Sequence, residues 1–161
     1  MSEYAYGGAR VMVAMHARYL REFMETWRRF DAEGIELPET SNPNYGSRET
    51  LLAHVLGCAA RYLTWMCEQL ALPKPALEEY PEVTGFSTRA EAYMEEVLAA
   101  WELPLRGVTE EQADGQAFVS RWGIPYSIDA MLEHAVMHPI RHSCQLEELL
   151  RASTESRGGA A

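Results

Sequence analysis

Residues 134–150 read HAVMHPIRHSCQLEELL, and this stretch decides how the rest of the chain is taken. With His134 at zero on a helical wheel, His138 and His142 fall at about 40° and 80°, and Gln145 at about 20°. Ala135, Leu146 and Leu150 occupy the next arc, so the histidines flank the stripe that a helix would bury. Ser127 is a good N-cap, and the helix is expected over 128–152. Beyond it STESRGGAA, residues 153–161, is small and polar and is expected to be a disordered tail.

Working back from that helix, the same periodicity recurs three times. Met12, Tyr19, Phe23, Trp27 and Phe30 follow one another at helical spacings and predict a first helix over 9–33, closed by Gly34. A loop with Pro38 and Pro43 follows. Ser47 then caps a second helix over 48–71, with Leu52, Val55, Ala59, Leu63, Met66 and Leu70 on one face. Pro73, Pro75 and Pro81 hold the chain out of helix until Thr88, which with Glu91 has the spacing of a capping box. That box predicts a third helix over 88–104. The stretch before Ser127 is irregular, with at most a short extended piece near Phe118 to Trp122.

Four helices and no convincing strand predict an all-α fold, a four-helix bundle formed by residues 1–152 as a single domain. Periodicity leaves the connectivity open. The second helix would be about 36 Å long. The linker over 72–87 stretches to roughly 53 Å, enough to return along the bundle and leave helices two and three parallel.

Composition narrows the partners. The 161 residues carry 24 acidic and 14 basic side chains, a formal charge of −10. A phosphate-backbone binder needs a basic face, so nucleic acid is not an expected partner. No run approaches the roughly 20 apolar residues of a membrane span, and the N-terminus lacks the apolar stretch of a signal peptide. A soluble cytoplasmic protein is expected. Cys58, Cys67 and Cys144 form no CxxC pair and indicate neither a disulfide framework nor a zinc ribbon.

The chemistry therefore lies with the histidines. His54 sits at the edge of the second helix's apolar arc, as His138 and His142 sit on theirs. One imidazole at such an edge commonly just fills an interface. Two at i, i+4 with a third from another helix have the geometry of a three-His centre for a divalent metal, with positions left for water or substrate. His134, one turn from the pair, suits an acid or base, or a residue that orients a ligand. Gln145 is placed to bond a ligand or a bound water. Arg141 has two readings, a grip on a substrate carboxylate or an ordinary surface charge. Cys58, one turn after His54, would close the site if it were a fourth ligand; otherwise it is a small buried apolar residue. Arg61 and Trp65 lie on the His54 side and either line a cavity or pack. His16 is expected at the core edge. Pro139 lies between two of the histidines, where it removes a backbone bond to Ala135. No HExxH motif points to a metalloprotease.

These segments resemble the DinB-like superfamily of metal-binding four-helix proteins (DinB/YfiT-like). The resemblance rests on two motifs. One is a histidine, three residues, a second histidine, two residues and a glutamine, here His138, His142 and Gln145. The other is SRETLLAHVLGCAARYL, in which the capping serine precedes the first ligand histidine by seven residues, here Ser47 and His54. The aromatic usual just before that serine stands one place further out, at Tyr45, and Pro139 replaces a residue that is often small. The resemblance implies an up-down-down-up bundle, often a homodimer, with nickel, zinc or iron on three histidines. It also implies thiol-dependent chemistry like that of mycothiol-dependent maleylpyruvate isomerases and bacillithiol S-transferases.

Two functional classes follow. One is a metal-dependent enzyme acting on a small molecule, a transferase or isomerase using a low-molecular-weight thiol, or a hydrolase. The other is a non-catalytic metal-containing, stress-related binding module. A cavity of several hundred cubic ångströms beside the histidines is expected for the enzyme.

Overall fold

Alternating steps of four and three residues place Ala9, Val13, His16, Leu20, Phe23, Trp27 and Phe30 on the buried face of helix α1, Gly7–Ala32. In the computed structural model, which describes residues 4–158, the chain is all-α apart from one two-stranded ribbon. The α1 stripe is centred one residue beyond the expected one. Val13 and Leu20 are buried, whereas Met12 and Tyr19 are only half-buried at its margin. His16 is thereby drawn from its expected place at the core edge into the core itself. Glu33 and Gly34 donate back to the Arg29 and Asp31 carbonyls, and Gly34 at φ +66° turns the chain away.

Helix α2, Arg48–Gln69, starts as expected, with Ser47 Oγ accepting the Thr50 N–H at 3.0 Å. Fifteen of its 22 residues are buried, so it is the central element rather than a one-faced surface helix. It packs against α3, Ala90–Trp101, and against the last helix, α5, Ile128–Gly158. The Trp101 indole N–H donates to the Ala59 carbonyl of α2 at 3.0 Å.

The expected capping box at Thr88 does not form. Gly85, in the left-handed conformation at φ +72°, opens a 3₁₀ turn over Phe86–Thr88, and the Thr88 hydroxyl donates to the Gly85 carbonyl at 2.7 Å. Glu91 instead pairs with Arg28 of α1 at 2.8 Å. Ser87 is engaged too, donating its hydroxyl to Glu49 of α2 at 2.6 Å. A genuine capping box lies further on, where Thr109 and Gln112 cap the short helix α4, Glu110–Asp114, inside the stretch expected to be irregular.

The extended piece expected near Phe118 is one arm of an antiparallel ribbon. Phe118–Val119 (β1) pairs with Pro125–Tyr126 (β2) across a turn that uses Gly123 at φ +83°. Helix α5, Ile128–Gly158, begins with Ser127 Oγ accepting the Ala130 N–H. Pro139 lies inside it without ending it. The helix continues past its expected end, so the tail is helical as far as Gly158. Thr154 and Ser156 donate their hydroxyls to carbonyls one turn back, and Arg157 pairs with Glu33. The last three residues of that tail lie outside the described ones. Helix α1 packs along much of α5. Among the described residues, no helix is long and apolar enough to cross a membrane.

Candidate metal centre

Where α2 meets α5, His54, His138 and His142 come together, each offering a ring nitrogen, and these atoms lie within 4.8 Å of one another. The ring centroids are 5.1 Å apart for His54 and His138, 5.5 Å for His54 and His142, and 4.7 Å for His138 and His142. The Nε2 atoms of His138 and His142 face each other at 3.3 Å. Two nitrogens on one tetrahedral ion, at bonds of about 2.1 Å, stand about 3.4 Å apart. This edge of the triangle therefore already has the length that a shared ion requires.

Protonation suits the same purpose. Burial pushes the His54 imidazole down to about 4, with His142 and Arg61 adding to the effect. Burial also holds His138 well below the ordinary histidine range, reinforced by His142 and His54. His142 is lowered by burial, and its hydrogen bond to Gln145 opposes that shift. Near neutral pH all three rings are thus uncharged and offer lone pairs. Gln145 Oε1 lies 2.9 Å from His142 Nδ1 and accepts its proton, which leaves Nε2 bare and aimed at His138. On the same side, the Tyr45 hydroxyl stands 3.5 Å from His142 Nδ1.

Two other expected residues take defined places. His134 is half-buried one turn before His138, packed edge-on to Tyr62 and Tyr126 and tilted over Trp122. Burial lowers its pKa, with Arg141 contributing. Cys58 stays outside the convergent group: its Sγ is 3.8 Å from His54 Nδ1 and 2.9 Å from the Arg61 guanidinium. Burial pushes this thiol up, with the Arg61 guanidinium opposing the shift.

His54 and His138 form part of the wall of a cavity of about 450 Å³, which Tyr62, Trp65, Trp122 and three arginines also line. A second hollow of about 330 Å³ is lined by Tyr45 and Gln145, together with aliphatic side chains, Thr40, Asn42 and Glu148. Arg61 and Trp65 are cavity-lining, as one of their two sequence readings had it. Sequence reasoning missed Tyr62, whose position two turns after His54 on the same helix face was a usable signal. It also missed Arg121 and Trp122. These ride on the ribbon, and no local pattern links them to the histidines. No family model, curated protein or solved structure matches the chain.

Proposed function

We propose that the chain is a DinB-like four-helix bundle of up-down-down-up order, whose three histidines hold a divalent ion, and that it is an enzyme acting on a small molecule. The observation that carries this reading is the convergence of three neutral imidazoles, two of which, His54 and His138, line a cavity large enough for a substrate. When bound, such an ion supplies a Lewis acid and lowers the proton affinity of a thiol or water beside it. The chemistry in view is transfer or isomerisation with a low-molecular-weight thiol, or hydrolysis. Nickel, zinc and iron all suit an imidazole donor set.

The remaining work belongs to the protein's own side chains. Gln145 fixes the His142 tautomer and its ring plane. His134, open to the cavity, takes up or returns a proton at the substrate. Tyr62, Trp65 and Trp122 shape the wall and exclude water from one side. The long linker between α2 and α3 supports the proposed order, since it can span the length of a helix and leave those two parallel. A homodimer is part of the same proposal.

Metal analysis of protein purified without an affinity tag tests the first half, with about one ion per chain expected. Assay of the metal-loaded protein with a panel of electrophiles and mycothiol, bacillithiol, glutathione or water tests the second. Metal without any turnover would replace the enzyme by the non-catalytic binding module.

A further inference from the structure

The protein carries ten more negative than positive charges, yet the cavity beside the histidines is cationic. Its lining holds Arg61, Arg121 and Arg141 and no aspartate or glutamate. In a chain with 24 acidic and 14 basic side chains, such a wall runs against the composition.

The three arginines differ in what already occupies them. Arg121 is paired with Glu79 and lies 3.6 Å from Glu68. Arg61 donates to the Glu79 carbonyl at 2.6 Å, points its other terminal nitrogen at Cys58, and stacks on Tyr80. Arg141 has no hydrogen bond or ion pair among the described residues. It sits on α5 next to His142, one turn beyond His138 in the same wall. A free guanidinium at a cavity mouth presents a planar fork of donors that matches a carboxylate in two-point fashion.

The apolar part of the wall points the same way. Trp122 is 47% exposed and Tyr80 is 71% exposed, both at the edge of this cavity. Large aromatic faces left in water at a concave site gain most from a flat ligand that covers them.

We infer that the cavity takes a small molecule with a planar apolar body and one anionic group, and that Arg141 receives the anion. This rests on the reading of the cavity as the substrate site and names the class of substrate.

The test is isothermal titration calorimetry with 2-naphthoate, its neutral counterpart 2-naphthamide, and naphthalene-2-sulfonate. It is run on chelator-treated protein, so that no metal binds the anion, and again on zinc-loaded protein. The metal-free wild type should bind naphthoate at least about tenfold more tightly than naphthamide, the discrimination of one charge-assisted contact. Arg141→Ala should bring the two within about twofold. Arg151→Ala, an equal change of net charge on the same helix outside this cavity, should leave the preference intact. Sulfonate binding as tight as that of naphthoate supports a general anion site, and weaker binding supports one fitted to carboxylate. Equal binding of acid and amide, a preference that survives Arg141→Ala, or no binding of either would overturn the inference. Zinc binding separates it from the metal proposal: one ion per chain without anion preference sinks only the inference, and anion preference without zinc sinks only the metal centre.

Discussion

His16 of α1 lies flat against Trp101 of α3, with ring centroids 3.9 Å apart and planes inclined by 22°. Both of its ring nitrogens are buried and have no hydrogen-bond partner among the described residues. Burial alone pushes this imidazole down to about 3. A group whose pKa is depressed by folding leaves stability intact above its unfolded value, here 6.5, and erodes it as pH falls toward the folded value. The unfolded chain takes up a proton that the native state refuses. Each pH unit in that window costs about 1.4 kcal/mol for one such site.

Replacing His16 by Phe should therefore flatten the loss of stability between pH 6 and pH 4, while changing stability at pH 7 by no more than about 1 kcal/mol. Urea midpoints at the two ends of the range check it. An unchanged acid slope in the variant would show that carboxylates and the cavity histidines account for the whole effect.

Removing any one of His54, His138 and His142 leaves two nitrogens for the ion. Alanine at each position should cut zinc content from about one per chain to near zero, and weaken affinity by at least about 100-fold. Equilibrium dialysis with metal analysis measures it. Full retention by His54→Ala would place the ion elsewhere, because α5 alone offers only two of the three convergent nitrogens.

Gln145 acts on the ion only through His142. Gln145→Ala should leave zinc bound but weaken it about 10–100-fold, the usual cost of losing the partner that holds a ligand's tautomer. Gln145→Glu keeps an acceptor for the Nδ1 proton and should retain the wild-type affinity. If both variants bind alike, the hydrogen bond seen at 2.9 Å does not orient the ring.

Gly57 permits a close approach. A Cβ there would stand 3.0 Å from both Pro81 Cδ and an Arg61 nitrogen, and 3.2 Å from the Glu79 carbonyl oxygen. Gly57→Ala gains about 1 kcal/mol of helix propensity. It also pushes the linker that carries Tyr80 off the cavity rim, an overpacking cost of about 1–3 kcal/mol. A melting midpoint a few degrees lower is expected. A higher midpoint would mean that the linker yields freely and does not hold Arg61.

The capping residues Ser47 and Ser127, the apolar stripe of α1 and the spacing of His138 and His142 were legible in the sequence, because each depends on residues within one or two helical turns. His54 was expected beside the other two, from its place at the edge of its helix's apolar arc and from the family resemblance, and the structure brings the three together, although nothing local says which faces of α2 and α5 meet. The same limit explains the errors. Thr88 and Glu91 have capping-box spacing, but Gly85 turns the chain just before them and Arg28, 63 residues away in sequence, claims the glutamate. The five-residue α4 is too short to show a period, and its Thr109 box passed unseen. His16 looked marginal until Trp101 covered it. The cavity is wholly a tertiary product: its wall joins α2, α5, the loop carrying Asn44, the linker carrying Tyr80 and the ribbon carrying Arg121 and Trp122, five segments that only long-range packing brings together.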